Sequence, residues 1–361
     1  MEDCIISKLN GYLNYNRYFH TYQKKVCEKL EKRYTLTDVK PTAALFPSGM
    51  NAIDSIFQVL SIQNKWESMN IVYGSELYCD TPRTIKYLSE NYIHCQLSKL
   101  NVNGSEDEIL KLFKRSNQLT ILFLESCSNP NGHIFDFQLL KKIKNILGSD
   151  KLKVIVDNTW VTSSLFNPFQ FDEVDIVVNS LTKYYGGDVS GICGVILSRN
   201  EKLGERVTHY GKVKGLHVCP RYCELLNENI DKMDDHIKKT SIMTLDLAKH
   251  VSNFTHVNYP KLENHDSYKL ANEYYGKLGP SVFTFCVPLN KADALKWMRS
   301  SKVFQCSTSF GASDSRFDQW PSSKKKGKNY ETYCRFSVGY KDNYEDVKEE
   351  LSQMLKKIKW D

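Results

Sequence analysis

Five short apolar runs set the terms on which this chain can fold. "AALF" precedes Ser48, "NIVYG" lies near residue 72, "LTILFLES" ends at Ser126, "KVIVDNT" ends at Thr159 and "VDIVVNS" ends at Ser180, with charged, helix-like stretches between them. Runs that are apolar throughout belong in sheets covered on both faces, and intervening helices supply parallel crossovers. The first half therefore reads as an α/β sandwich. Ligands in such sheets gather at the carboxyl ends of the strands. Those ends are where the polar segments "PSGMN", "ELYCDT", "ESCSNPNG", "DNTW" and "SLTK" fall.

From about residue 221 the texture changes. "NENIDKMDDHIKKTSIMTLDLAKHVSNF" reads as one long helix, with Ile230, Met233, Ile237 and Leu245 at roughly helical spacing, and "SVFTFCVPL" and "ETYCRFSVGY" read as strands. The predicted organisation is an N-terminal arm over 1–35 with one helix, "YQKKVCEKLEKRY", a large domain over 36–220 and a smaller α+β domain over 221–361. With 361 residues the chain is long enough to bury an active site.

Composition narrows the setting. No apolar run approaches the roughly 20 residues of a spanning helix, and the N-terminus starts acidic without an uninterrupted apolar stretch, unlike a secretory signal. The 11 cysteines lack paired spacing, which suits reduced thiols, so the expected location is the cytoplasm. The pair Cys219 and Cys223 lacks convincing partners for zinc, His209 and His217 being weak candidates. The net charge of +7 is dispersed, and its one dense run, Lys324 to Lys328, reads as a solvated loop rather than a nucleic-acid contact. No Gly-x-Gly-x-x-Gly follows the first strand, which argues against a dehydrogenase, and a P-loop is missing likewise.

Lys183 carries the chemistry. It follows an apolar strand, sits beside Ser180 and Thr182, and precedes the pair Gly186 and Gly187. An amine placed there has a use if it forms a Schiff base with an aldehyde cofactor while neighbouring donors hold that cofactor's phosphate. Pyridoxal phosphate (PLP) also needs a carboxylate at its ring nitrogen, and Asp157 ends the run "VIVD". Gly49 and Met50 open a helix whose first amides suit a phosphate, and Tyr78 can cover the ring or pack as ordinary core.

The ordered motifs "SGM", "LYxxT", "ESxSNPxG", "VDNT", "SLTKYxGG" and "RFSVG" resemble the Cys/Met-metabolism PLP enzymes, the cystathionine γ-synthase and γ-lyase group, from about Tyr15 to Asp342. The resemblance implies a fold-type I, aspartate aminotransferase-like subunit: a large domain with a mostly parallel seven-stranded sheet between helices, and a smaller α+β domain. It implies a homodimer or homotetramer with shared active sites, no nucleic acid, no membrane, and a small amino-acid substrate.

Residue by residue, Lys183 would be the Schiff-base lysine and proton shuttle, Asp157 the partner of the ring nitrogen, and Tyr78 the stacking residue and a second candidate base. The amides of Gly49 and Met50 and the hydroxyls of Ser180 and Thr182 would hold the phosphate, with Tyr15 and Arg17 completing that site in the neighbouring subunit. Asn129 would approach the ring's 3-oxygen. Arg335, helped by Ser309, would hold the substrate α-carboxylate, and Arg83 would meet a distal one.

The chain departs from the pattern at Asp188, Val189 and Ser190, and around Asn229. Its beginning close to Tyr15 suggests a weaker tetramer or a dimer. Asp80, with Cys79 beside it, stands near the place where methionine-degrading relatives carry a reactive cysteine, which argues against that activity. The implied activity is γ-replacement or γ-elimination on a homoserine ester or cystathionine-like amino acid. The alternatives are a C–S β-lyase of the same family and a catalytically silent binding subunit.

Overall fold

A computed structural model describes residues 20–92, 94–187, 191–326 and 329–360. All five apolar runs are strands. With two more they build a seven-stranded sheet: β1 (Thr42–Phe46), β2 (Met69–Gly74), β3 (Cys95–Leu100), β4 (Leu119–Glu125), β5 (Leu152–Asp157), β6 (Val174–Ser180) and β7 (Gly194–Ser198), in the order β1-β7-β6-β5-β4-β2-β3. Only β7 runs against its neighbours, and every other pairing in this sheet is parallel. β1 and β6 both oppose β7, so β1 shares the direction of β2, β4, β5 and β6. All five polar strand ends therefore meet along one edge of the sheet.

Two apolar layers cover the sheet. Ile71, Ile121, Phe123, Ile155, Ile176 and Val178 face the helices Gly49–Gln63, Asp80–Asn91 and Glu201–Val213. The alternate residues, Val72, Leu122, Leu124, Val154, Val156 and Val177, face the other way. Burial on both sides is what makes these runs apolar throughout. The second layer recruits Tyr222, Leu226, Met233, Ile237, Tyr274 and Tyr275 from beyond residue 220, so the later part of the chain contributes to the core of the large sheet.

A second sheet holds β8 (Val257–Asn258), β9 (Val282–Val287), β10 (Gln305–Cys306), β11 (Arg316–Lys326) and β12 (Asn329–Ser337), in the order β10-β11-β12-β9-β8. Its own core contains Phe283, Phe285, Phe317 and Phe336, packed against Leu247, Val251, Leu351 and Leu355.

Two sequence expectations change in detail. The long helix is divided into Pro220–Asn229, a 3₁₀ turn over Ile230–Lys232, and Met233–Val251. Lys324–Lys326, read as loop, are the last residues of β11 and pair with β12, because a hairpin end satisfies backbone groups that a solvated loop leaves to water. The helix expected in the N-terminal segment is Thr21–Tyr34, anchored by buried Val26, Leu30 and Tyr34. Among the described residues no helix is long and apolar enough to cross a membrane.

Candidate active site

The carboxyl edge of the large sheet opens into a cavity of about 280 Å³, at the lower end of the range for small-molecule sites. Gly49, Met50, Tyr78, Asn129, Asp157, Ser180, Thr182, Lys183, Ser309 and Arg335 all line it. Arg83 does not: it is exposed on the helix Asp80–Asn91 and pairs with Asp80 at 2.8 Å. Tyr15, Arg17 and Asp188–Ser190 lie outside the described residues.

Each wall follows from local chain chemistry. Ser48 caps the helix Gly49–Gln63 by accepting the Asn51 N–H at 3.0 Å, which leaves the first amides of that helix toward the cavity. A Cβ on Gly49 would stand 3.1 Å from the Ser180 Cβ, so glycine lets the helix start close against the end of β6. At Gly194 the approach is closer still, since a Cβ there would lie 2.3 Å from the Ser48 carbonyl oxygen. Thr182 ties its loop to the start of β7, donating to the Cys193 carbonyl at 3.3 Å and accepting the Cys193 N–H at 3.2 Å.

Lys183 donates from Nζ to Ser309 Oγ at 2.7 Å. Ser309 holds a φ of +91°, a conformation worth on the order of 1–3 kcal/mol of strain for a non-glycine residue, and its hydroxyl reaches the lysine from that position. Burial, then the charges of Arg335 and Arg316, push the lysine pKa down to about 8. Two cations approach the Phe310 ring, Lys183 Nζ at 5.1 Å and the Arg335 guanidinium carbon at 5.7 Å.

Two carboxylates stand side by side, because Glu125 at the end of β4 pairs in register with Asp157 at the end of β5. Asp157 accepts the Thr159 hydroxyl at 2.5 Å and the Thr159 N–H at 2.9 Å, yet burial still raises its pKa to about 6. Glu125 accepts the Tyr78 N–H at 2.5 Å, which fixes the loop that carries the Tyr78 ring. Burial, then Asp157, push the Glu125 pKa well above the ordinary carboxylate range. Burial, then Asp80, raise the pKa of the Tyr78 phenol too, so it stays protonated at neutral pH. Arg335 is buried, donating to Asp318 at 3.0 Å and to Asn129 Oδ1 at 3.4 Å.

Sequence reasoning did not single out Glu125, Trp160, Thr308 or Phe310, all of which line the cavity. Glu125 had a signal, as an acid closing an apolar strand. Thr308 and Phe310 had none beyond their place beside Ser309.

Residues 4–356 match the family described as Cys/Met metabolism PLP-dependent enzymes. The chain belongs to that family. The members of that family are PLP-dependent enzymes of cysteine and methionine metabolism.

Relatives span several members. The chain is 28% identical over 297 residues to the chloroplastic mimosinase of Mimosa pudica, covering 78% of this chain but only 61% of that one. It is 28% identical over 322 residues to the cystathionine β-lyase of Schizosaccharomyces pombe, covering 85% and 78% of the two chains. A solved structure, cystathionine γ-synthase from Xanthomonas oryzae pv. oryzae in complex with aminoacrylate and cysteine, superposes with a TM-score of 0.80 at 19% identity, covering 94% and 86%. The family fold is thus the fold-type I architecture, with a large sheet and a second sheet domain.

The cavity fits PLP. A helix N-terminus, held close to Ser180 by a glycine, leaves a cradle of amides and hydroxyls for a phosphate. A half-buried carboxylate whose pKa is raised to about 6 would gain from a ring cation that offsets its desolvation, and a half-buried amine lowered to about 8 supplies a nucleophile.

Proposed function

We propose that the enzyme acts at the γ-carbon of a homoserine ester or a cystathionine-like amino acid, by γ-replacement or γ-elimination. The observation that carries this reading is the placement of Lys183, held at 2.7 Å by Ser309 in the cavity that Asp157 and Arg335 also line.

Bound PLP supplies an electron sink that acidifies the substrate carbons next to it. The chain supplies the rest. The Gly49 and Met50 amides with the Ser180 and Thr182 hydroxyls would bind the phosphate, Asp157 would keep the ring nitrogen protonated, and Asn129 would serve the 3-oxygen. Tyr78 covers the ring, with Glu125 setting the height of its loop through the Tyr78 N–H. Arg335 and Ser309 orient the α-carboxylate, and a guanidinium fork suits that group bidentately. Lys183 would anchor the cofactor and then move protons between the α- and β-carbons at Nζ; a base with a pKa of about 8 is half neutral at about pH 8. Tyr15 and Arg17 are proposed to complete the neighbouring subunit's phosphate site in a homodimer or homotetramer, and the cytoplasm is the proposed compartment.

A silent binding subunit has no use for a lysine and an aspartate lining one cavity at the ends of adjacent strands, so the enzymatic reading is preferred. The test is the visible absorption spectrum of the protein saturated with PLP, beside that of Lys183→Ala. A band in the first and its loss in the second is the expected outcome. An identical spectrum in both would remove Lys183 from its role.

A further inference from the structure

β11 and β12 pair in antiparallel register, with Arg316 opposite Ser337, Phe317 opposite Phe336, and Asp318 opposite Arg335. Side chains alternate between the faces of a sheet. Phe317 and Phe336 enter the core of the small domain, so Arg316, Asp318 and Arg335 share the opposite face; Arg335 lines the cavity, and Arg316 stands behind the lining residue Thr308. Thr308, another lining residue, ties the two arginines together: its hydroxyl accepts from Arg335 Nη2 at 3.5 Å and its carbonyl from Arg316 Nη1 at 3.3 Å.

The two guanidinium groups differ in how far they are committed. Arg335 already has Asp318 at 3.0 Å and Asn129. Arg316 has no carboxylate within ion-pair distance among the described residues, and its Nε is buried without a hydrogen-bond partner. A half-buried guanidinium without a counter-ion is costly unless something pairs with it. Its charge reaches the reaction centre, contributing to the lowered pKa of Lys183. Arg83, the residue the sequence offered for a distal anion, is turned to solvent and engaged with Asp80.

We propose that Arg316 reads the far end of the substrate, selecting amino acids whose γ-substituent ends in an anionic group, a carboxylate or a phosphate. This rests on the γ-carbon reading above and narrows it. With Arg335 on the α-carboxylate, Arg316 on the other side of Thr308 meets the second negative charge. A site built to pair a charged group discriminates strongly against an analogue that lacks it, because the buried donor is then left unpaired.

The test uses the PLP-loaded enzyme and three esters that share the bond to be broken: O-succinylhomoserine and O-phosphohomoserine, with anionic tails, and O-acetylhomoserine, with a neutral one. The wild type is expected to favour one anionic ester over the acetyl ester by about tenfold or more in kcat/KM, and which one it favours separates carboxylate from phosphate. In Arg316→Gln that ratio falls by about tenfold or more, with the change in KM rather than kcat, and Arg316→Lys recovers part of it. A ratio unchanged in Arg316→Gln, or no anionic preference in the wild type, would overturn the role of Arg316 while leaving the γ-carbon reading intact. A wild type inert on all three esters and on cystathionine would overturn both.

Discussion

Lys183 is an amine held out of water beside two guanidinium groups, and the consequence is a pKa near 8 where a solvated lysine stands near 10.4. The sign matters: a lowered pKa enlarges the neutral fraction, and only the neutral amine attacks an aldehyde. At pH 7 about one Lys183 in ten is neutral, against fewer than one in a thousand for an ordinary lysine. The growth of the visible band on mixing cofactor-free protein with PLP should therefore speed up about tenfold from pH 6 to 7 and level off above about pH 8. A rate still climbing at pH 10 would show an unperturbed lysine. The chemistry of this residue was legible in the sequence because an amine at the end of a buried strand, among hydroxyls and glycines, has few uses. Arg316 was not legible: its meaning lies in what fails to pair with it, and that appears only once β11 lies against β12.

At the scale of elements, the cradle depends on β7, the one strand that opposes its neighbours. Gly194 starts it, opposite both Phe46 and Ser180, directly beneath the Ser48 carbonyl. Gly194→Ala would force a methyl group into backbone, and backbone cannot move aside as a side chain does. The expected cost is about 3 kcal/mol or more, read as a lower denaturation midpoint, with weaker PLP retention because the displaced segment is the start of the phosphate-binding helix. Unchanged stability would mean that the helix start is not held against β7. β7 and β3 were not read from the sequence as strands, and for different reasons. "GVILS" follows directly on the polar, glycine-containing segment after Lys183 and merges with it in the sequence, while "CQLSKL" is an edge strand with mixed exposure and no clean alternation. The five runs buried on both faces had no such ambiguity. The split in the long helix was equally hidden, since residues 230–232 keep helical periodicity through a 3₁₀ turn.

The proposed homo-oligomer is a property of the whole molecule, and exposed apolar side chains bear on it. Ile62, Trp66, Tyr87, Tyr92 and Val213 are exposed, on or just beyond the helices Gly49–Gln63, Asp80–Asn91 and Glu201–Val213 over one side of the large sheet. Apolar groups left out on packed helices suit burial against another subunit. The proposed sharing of active sites can be tested without any structure of the assembly. Arg17→Ala and Lys183→Ala each inactivate a homo-oligomer if every site takes Lys183 from one subunit and Arg17 from its neighbour. In a hybrid dimer one site receives both mutations and the other receives neither. Unfolding and refolding the two inactive variants together in equal amounts should then restore about a quarter of wild-type activity, half the dimers being hybrid and half their sites intact. Each variant refolded alone serves as the control. No recovery from the mixture, with hybrids verified by mass, would place Arg17 and Lys183 in the same subunit's site.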